Sequence, residues 1–407
     1  MNKYFLFYII FFLCITLCKA QDAAETKNDY PNVHSLIDSI RMQYAPDKRE
    51  SVFEISISDV NNQPQLNGVT SVPKAKSILI NRAKIIYPEL IDSIKLLPSA
   101  DLGENIYGVV NVSVADMRVH PDFEYEMATQ ALLGTPIKLL QSKAGWYRVQ
   151  TPDGYIAWMH NMSFSPKTEE EIINWQTLEN KIIFTDYFGF AYAEPDIKSQ
   201  HIGDLTVGNM LNIVADEAEF YKVAYPDNRI AYVKKSQSER YPLWKESIRI
   251  TRESIIDKAS ALMGIPYTWG GTSTKGVDCS GFTKMVFLMH NIILMRDASQ
   301  QAYTGIQVDI SNMDNLQVGD LIFFGKKGEQ GKKDRIRHVG IYLGNKEFIH
   351  ASGYVRINSL DVSQPHYDEK NATELIRATR ILGAIDTNGI WHIYNNPFYK
   401  NLTPANN

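Results

Sequence analysis

The pattern of apolar and polar positions divides the chain into stretches with different predicted structures. Residues 33–43 and 73–85 carry apolar side chains at helical spacing, and residues 52–57 alternate as a strand does. Together they predict a small α+β segment over residues 21–103, which contains no candidate chemistry. From about residue 104 onward, short alternating runs separated by turn residues are typical of an all-β structure.

An internal repeat lies within this β-rich region. Residues 134–160 align without a gap with residues 208–234, at an offset of 74 residues. Each copy ends in two alternating runs joined by a Pro-Asp turn, a pattern that predicts a hairpin. We therefore expect two small β-barrels in tandem over residues 104–165 and 172–238, with a charged link at 166–171 between them.

The last third of the chain has a third pattern. Residues 248–263 and 282–289 have helical apolar spacing, whereas alternating runs dominate from Asp320 onward. Helices followed by strands indicate an α+β domain. We expect this domain over residues 247–385, followed by a C-terminal tail at 386–407.

The first twenty residues have the three parts of a secretory signal peptide, namely a basic start at Lys3, an apolar run and small residues before Ala20. We expect cleavage after Ala20, export to the periplasm or cell envelope, and no stable insertion in the membrane. An uncleaved anchor is disfavoured because the apolar core is short. A lipoprotein attached through Cys18 is disfavoured by the bulky residue before it. Cleavage would remove Cys14 and Cys18 and leave Cys279 as the single thiol.

Composition and charge exclude several classes of protein. Of the 407 residues, 44% are hydrophobic and 22% are charged, which excludes a disordered tail, a collagen-like repeat and a multi-span membrane protein. The formal net charge of -4 provides no basic field that would hold nucleic acid. The sequence carries no oligomer signal, so we expect a monomer.

Cys279 is a candidate nucleophile because of its position. It lies where a helix is predicted to begin, directly after Asp278, which can cap that helix. Unpaired N–H groups and the positive end of the helix dipole favour a thiolate there, and the same N–H groups can stabilise an oxyanion. The alternative is a buried and inert thiol.

Two histidines are candidates for the base that such a nucleophile needs. His338 lies on a predicted strand and His350 on the strand that returns after Gly344. A three-residue loop would place both imidazoles on one face, where His350 could orient His338 as the third member of a triad. A two-residue loop would place them on opposite faces. Zinc binding is the alternative, but no Asp, Glu or Cys completes a metal set, so we expect no metal and no cofactor.

The motifs YTWGG, DCSGF, HVGIYLG and HAS occur in this order and together resemble the NlpC-type papain-like cysteine peptidases of bacterial cell walls. The resemblance covers residues 253–382. It implies an α+β papain-like catalytic domain preceded by two small SH3-like β-barrels and the small α+β N-terminal segment. It also implies that Cys279 is the nucleophile, His338 the base and His350 the orienting residue.

The same resemblance implies a pocket for a free substrate amine, with Asp278 as the carboxylate that pairs with it. Helix capping alone is the alternative role of Asp278. The resemblance implies Glu126 and Tyr155 as wall residues. Ser280 is a candidate for the lining of the amine site, and Tyr267 for a hydrogen bond to the substrate or to the triad. Glu126 could instead be solvated surface and Tyr155 barrel packing, and we expect Trp269 in the core. Residues 296–301 are interpreted as structural support.

Two SH3-like domains before such a catalytic domain, after an exported N-terminus, look like the three-domain members of this family. These resemble dipeptidyl-peptidase VI enzymes, which are γ-D-glutamyl-L-diamino acid endopeptidases. The resemblance implies hydrolysis of peptidoglycan stem peptides or muropeptides that carry a free N-terminal L-Ala, with release of L-Ala-γ-D-Glu. Alternatives are an N-acetylmuramoyl-L-alanine amidase, a wall-binding protein without turnover and an acyltransferase. The diamino acid can be meso-diaminopimelate or L-lysine, and the role murein recycling, wall remodelling or attack on other cells. A basic loop at 326–337 is either solvated or contacts a carboxylate of the diamino acid residue.

Overall fold

The fold is described from a computed structural model of the chain, which describes residues 30–329 and 331–400. The predicted signal peptide at 1–20 and residues 401–407 lie outside the described residues. The tail predicted at 386–407 is wrong in part, because residues 390–392 form a strand that pairs with residues 292–294. The described residues divide into two compact units, one formed by residues 30–46 with residues 53–95, and the other by residues 47–52 with the described residues from 96 onward. In the part of the chain that the structure describes, the helices are too short or too polar to cross a bilayer.

The first unit contains two helices and a three-stranded sheet in the order β1-β2-β3. Both helices begin with a proline, whose missing N–H has no helical partner at that position. Their buried faces, with Val33 and Ile37 on one helix and Leu79 on the other, pack on Leu66 of the sheet. The elements are α1 (Pro31–Tyr44), β1 (Phe53–Val60), β2 (Gln63–Thr70), α2 (Pro73–Ile86) and β3 (Ile91–Leu96). The predicted α+β character of this segment is confirmed.

Each copy of the repeat lies within its own seven-stranded sheet and supplies three of the seven strands. The first contains β4 (Tyr107–Val110), β5 (Val114–Arg118), β6 (Met127–Leu132), β7 (Pro136–Lys143), β8 (Trp146–Gln150), β9 (Ile156–His160) and β10 (Phe164–Lys167). The second contains β11 (Lys181–Phe184), β12 (Gly189–Tyr192), β13 (His201–Leu205), β14 (Met210–Glu217), β15 (Phe220–Ala224), β16 (Ile230–Lys234) and β17 (Ser238–Arg240).

The strand orders of the two sheets are the same. The first runs β10-β4-β7-β8-β9-β5-β6, and the second, read from β17, runs β17-β11-β14-β15-β16-β12-β13. The predicted hairpins are β8–β9 and β15–β16. The stretch at 166–171, expected as a link, forms the end of β10 and the start of α3 (Glu169–Trp175), because Thr168 and Glu171 make a capping box there.

The rest of the second unit packs helices on an antiparallel sheet of six strands in the order β21-β26-β22-β23-β24-β25. The helices are α4 (Tyr241–Ser247), α5 (Arg252–Ser260), α6 (Cys279–Leu288), α7 (Ala298–Gln301) and α8 (Glu369–Glu374). The strands are β18 (Thr272–Ser273), β19 (Gly276–Val277), β20 (Ile292–Leu294), β21 (Ile306–Val308), β22 (Leu321–Lys326), β23 (Arg335–Gly344), β24 (Glu347–Ser352), β25 (Tyr354–Ser359), β26 (Leu375–Arg380) and β27 (Ile390–His392). The predicted apolar face of α6, including Phe282 and Val286, packs on Val339 and Ile349 of the sheet.

The expected basic loop at 326–337 is shorter than predicted. Lys326 pairs with Arg335 across β22 and β23, so the ladder extends beyond the last apolar residue and the loop begins after Lys326. Asp334 is held by two bonds from Arg377, the nearer of 2.8 Å. Gln330 lies outside the described residues.

The register of β23 on β24 decides which way the two histidines face. The strands are joined by a two-residue turn at 345–346, and both residues have positive φ, 49° and 62°. A bulge at Leu343 adds one residue to β23 and shifts the register. His350 therefore lies opposite Gly340 and shares a face with His338. The expectation that a two-residue loop separates the imidazoles is wrong, because the bulge compensates for it.

Candidate active site

Cys279 is the first residue of α6, as predicted. The Asp278 side chain caps the helix, with its Oδ1 accepting the N–H of Gly281 at 2.7 Å. Among the described residues Cys279 is the free cysteine, and it is buried. The local sequence thus places one thiol at a helix start and anchors that start with a carboxylate.

Burial of Cys279 opposes the thiolate that the helix terminus favours. Burial raises the pKa of the Cys279 thiol to about 12, and the negative charge of Asp278 acts in the same direction. Backbone N–H groups of Val339 and Ser280 lower the pKa only partly. Desolvation therefore outweighs the helix terminus, and the resting group is the thiol. The Val339 contact also places the sulfur beside the residue that follows His338.

This protonation state predicts how the thiol reacts with an alkylating agent. A thiol with a pKa of about 12 gains about tenfold in thiolate for each pH unit. The rate of Cys279 carboxymethylation by iodoacetamide should therefore rise about tenfold per unit between about pH 6 and pH 9, as followed by peptide mass spectrometry. A fast rate that does not change with pH in this range would contradict the prediction, since it would indicate a preformed thiolate.

His338, His350 and Asn358 form a hydrogen-bonded chain across strands β23, β24 and β25. His338 Nε2 lies 2.7 Å from His350 Nδ1, and His350 Nε2 lies 2.9 Å from Asn358 Oδ1. Asn358 Nδ2 donates to the backbone oxygen of His366, so the amide oxygen faces His350. His350 must then donate from Nε2 and accept at Nδ1, and His338 donates from Nε2. The remaining lone pair of His338 is on Nδ1, which makes that atom the base.

The surroundings of both imidazoles favour their neutral form. Burial lowers the pKa of His338 well below its ordinary value, and the facing imidazole of His350 has the same effect. Burial also lowers the pKa of His350. Nearby cations lower the pKa of His338 further, namely Arg337, Lys370 and Arg356. The described part of the chain contains no group of three or more His, Cys, Asp or Glu side chains that could hold a metal ion.

The carboxylate of Asp278 is already paired. Arg296, whose side chain is 1% exposed, donates to its two oxygens at 2.5 and 3.2 Å. The N–H of Gly270 and the hydroxyl of Ser280 donate as well, at 3.0 and 3.3 Å. Together with the Gly281 cap these bonds use the lone pairs of the carboxylate. The capping role expected as the alternative is therefore present, and Asp278 holds Arg296 against the nucleophile helix.

The first barrel brings a second carboxylate to the same region. Glu126 is exposed, and its Oε1 accepts the indole N–H of Trp269 at 2.5 Å. Trp269 is 62% exposed, so its expected place in the core is wrong. Strand β6 approaches closely here, because a Cβ on Gly270 would lie 2.6 Å from the Met127 oxygen. Glu126 is therefore the accessible acid beside the YTWGG segment.

Two predicted tyrosines lie at this site. Burial raises the pKa of Tyr155, and the charge of Asp297 raises it further while Arg296 opposes both. Burial likewise raises the pKa of Tyr267, and Cys279 adds to this effect. Tyr267 also packs against the apolar cluster that contains Cys279. The structure thus brings Tyr155 to the Arg296–Asp297 pair and Tyr267 to the nucleophile.

A segment at residues 47–52, which the sequence did not single out, also reaches this region. Arg49 Nη1 donates to Asp297 Oδ2 at 2.7 Å and to Ser299 Oγ at 2.8 Å. The backbone oxygen of Arg49 accepts the N–H of Ile156 at 2.6 Å. The segment therefore ties the residue after Tyr155 to the catalytic domain. No periodicity or motif marks it, because its role depends on contacts distant in sequence.

A buried ion pair holds the same barrel loop from another side. Lys284 on α6 lies 2.5 Å from Asp153 Oδ2, and both side chains are mostly buried. Asp153 Oδ1 also accepts the N–H of Tyr155 at 3.2 Å. Lys284 donates in addition to the oxygen of Leu294. The nucleophile helix is thereby connected directly to the turn that carries Tyr155.

Two protein families match this chain, one over the domain that carries Cys279 and the other over the first barrel. Residues 264–376 match the NlpC/P60 family, and residues 117–163 match the bacterial dipeptidyl-peptidase Sh3 domain. The first match contains the three members of the predicted triad, and the second contains Glu126 and Tyr155. The resemblance inferred from the motifs and the predicted fold class are confirmed.

Characterised relatives align with much of the chain. It is 31% identical over 231 residues to a gamma-D-glutamyl-L-lysine dipeptidyl-peptidase of Bacillus subtilis, covering 55% of this chain and 71% of the relative. It is 27% identical over 277 residues to dipeptidyl-peptidase 6 of Lysinibacillus sphaericus, covering 66% and 96%. A crystal structure of an NlpC/P60 family protein from Bacillus cereus superposes with a TM-score of 0.56 at 25% identity, covering 67% of this chain and 99% of that one.

Proposed function

We propose a function from the premise that this chain belongs to the NlpC/P60 family and is a cysteine peptidase. It is a peptidoglycan hydrolase that cleaves the bond between γ-D-Glu and the L-diamino acid in stem peptides with a free N-terminal L-Ala. The products are L-Ala-γ-D-Glu and the remaining diamino acid peptide. Relatives named as gamma-D-glutamyl-L-lysine dipeptidyl-peptidases support this choice of bond.

The observation that carries the proposal is the exposed carboxylate of Glu126 beside Trp269. A free ammonium group at the substrate terminus pairs with this acid, while Asp278 and Arg296 hold the adjoining loop. An N-acetylated terminus lacks the charge and leaves the acid unpaired. The arrangement therefore favours peptides already released from the glycan over intact wall, in which the alanine nitrogen is acylated.

The hydrogen-bond chain supports a definite sequence of proton transfers. His338 Nδ1 takes the thiol proton as the sulfur of Cys279 attacks the γ-carbonyl carbon. The N–H of Cys279, at the first position of α6, has no helical partner and can stabilise the oxyanion. The imidazolium of His338 then protonates the leaving amine as the C–N bond breaks. Water, deprotonated by neutral His338, hydrolyses the thioester and restores the thiol.

Mass spectrometry of two synthetic peptides tests the proposal. One is L-Ala-γ-D-Glu-meso-diaminopimelate-D-Ala with a free N-terminus, and the other is the same peptide N-acetylated. We expect the dipeptide from the first peptide only, and no product with Cys279→Ala. Glu126→Gln should reduce the preference for the free amine. Equal cleavage of both peptides would contradict the proposed amine-binding role of Glu126. If neither peptide released its diamino acid portion, the proposed function would be contradicted.

Arg49 gives a prediction for the amine end of the site. Arg49→Met removes the bonds to Asp297 and Ser299 and loosens the Tyr155 turn. We expect KM for the free-amine peptide to rise about 5- to 20-fold while kcat changes little. Arg240→Met, which removes a comparable pair with Asp216 on the second barrel, is the control. An unchanged KM in Arg49→Met, or an equal rise in both variants, would show that the segment does not position the substrate.

We further propose that the protein acts as a monomer after export through a signal peptide at residues 1–20. Cell fractionation and N-terminal sequencing of the mature protein test the export. We expect the mature protein in the envelope fraction, with an N-terminal sequence that begins at residue 21. A cytoplasmic protein that retains residues 1–20 would contradict it.

A further inference from the structure

Arg356 lies on the same face of the sheet as the two catalytic histidines. The β24–β25 ladder pairs it directly with His350, and side chains of directly paired residues project to one side. His338 shares that side through the register of β23. Arg356 is also close enough to lower the pKa of both imidazoles. A guanidinium therefore lies next to the proposed catalytic centre.

This guanidinium has no acidic partner in the part of the chain that the structure describes. Arg356 Nε is buried and makes no hydrogen bond. The guanidinium carbon of Arg356 lies 5.7 Å from the ring centroid of Tyr354, whose side chain is half-exposed. Arg337, by contrast, donates to Glu374 and Asn371. A buried donor without an acceptor is unfavourable, and an anionic ligand would relieve this.

The position of Arg356 points to the leaving-group side of the site. The amine end is formed by Glu126, Trp269 and the Asp278–Arg296 pair. Helix α6 contacts β23 and β24, and β25 lies beyond β24 in the sheet order. The leaving amine takes its proton from His338 in the proposed reaction, so the leaving residue lies beside that imidazole, on the face of the sheet that Arg356 shares.

We propose that Arg356 is a specificity-determining residue that binds a carboxylate of the diamino acid residue whose amine leaves. This inference rests on the proposed function. A planar guanidinium binds carboxylates through two parallel hydrogen bonds. The diamino acid supplies a carboxylate in two ways, from its α-carbon when it ends the peptide or from its side chain when it is diaminopimelate. The site thus pairs Glu126 with the substrate amine at one end and Arg356 with a substrate carboxylate at the other.

Three substrates with a free N-terminal L-Ala separate the two sources of carboxylate. They are L-Ala-γ-D-Glu-L-Lys, its C-terminal carboxamide, and the carboxamide with meso-diaminopimelate in place of lysine. We expect kcat/KM of the unaltered protein to fall about 10- to 100-fold when the only carboxylate of the lysine residue is amidated. If Arg356 binds the side-chain carboxylate, the diaminopimelate carboxamide is cleaved about as fast as the lysine peptide with a free carboxylate. If Arg356 binds the α-carboxylate, the diaminopimelate carboxamide is cleaved as slowly as the lysine carboxamide.

Arg356→Met should remove this preference through a higher KM for the carboxylate-bearing peptides, with the lysine carboxamide cleaved about as fast as before. Arg356→Lys should retain part of the preference. Arg337→Met controls for the general electrostatic effect on His338 and should leave the preference intact. Equal losses on all three substrates in Arg356→Met, or no preference in the unaltered protein, would overturn this inference alone. Cleavage of none of the peptides by the unaltered protein would overturn the proposed function and this inference with it.

Discussion

Arg296→Met is expected to lower the free energy of unfolding by about 3–5 kcal/mol and to abolish hydrolysis. The substitution removes the two bonds to Asp278 and leaves a carboxylate that is almost fully buried without its cation. It also removes the bond from Arg296 Nε to Thr129 on β6, which connects the first barrel to the site. Urea denaturation measures the stability, and dipeptide release measures the activity.

A double variant separates the two effects of this substitution. Asp278→Asn with Arg296→Met removes both charges, and asparagine still caps a helix. We expect the double variant to recover at least half of the stability that the single variant loses, because the unpaired carboxylate is gone. A loss below about 1 kcal/mol in the single variant would contradict the interpretation, since exposed ion pairs contribute no more than this.

His350→Ala is expected to lower kcat about 10³- to 10⁴-fold with little change in KM. Without His350, the imidazole of His338 has no acceptor for its Nε2–H and can adopt the other tautomer, which lacks a lone pair on Nδ1. Control of the tautomer by a third group is worth up to about 10⁴ in kcat in hydrolases that use an imidazole base. Steady-state kinetics on the free-amine tetrapeptide measure the effect.

Asn358 tests the same chain of bonds without removing an imidazole. Asn358→Leu removes the acceptor of His350 Nε2–H and should lower kcat about 10- to 100-fold. Asn358→Asp keeps an acceptor at that position and should stay within about threefold of the unaltered protein. A similar loss in both variants would show that Asn358 supports the fold rather than the tautomer. A loss below tenfold in His350→Ala would show that His338 does not depend on the chain.

Much of the fold could be predicted because its signals are local. The apolar periodicity of residues 282–289 predicted the buried face of α6, and the capping side chain of Asp278 predicted its start. The offset repeat predicted two sheets of one topology, since equal patterns of strands and turns lead to equal hairpins. The charges at 166–171 predict a link, but Thr168 and Glu171 also have the spacing of a capping box, which is a local signal for the helix that begins there.

The candidate site was predictable only in part. The motifs identified Cys279, His338 and His350, but the face on which the histidines lie depended on a bulge at Leu343 that no sequence signal marks. Asn358 was missed because its role rests on a cross-strand contact with His350. Each of these features depends on the register of the strands, because a shift of one residue moves every side chain of a strand to the other face of the sheet.

The sequence by itself determined the helix and strand pattern, the repeat and the three reactive side chains, because each depends on residues near one another in the chain. Only the tertiary structure decided the partners and charge states of those side chains. Arg296 reaches Asp278 from another segment of the chain. Burial raises the pKa of the Cys279 thiol, although the helix dipole favours the thiolate. Burial and long-range pairing arise when distant segments pack together, so local patterns do not contain them.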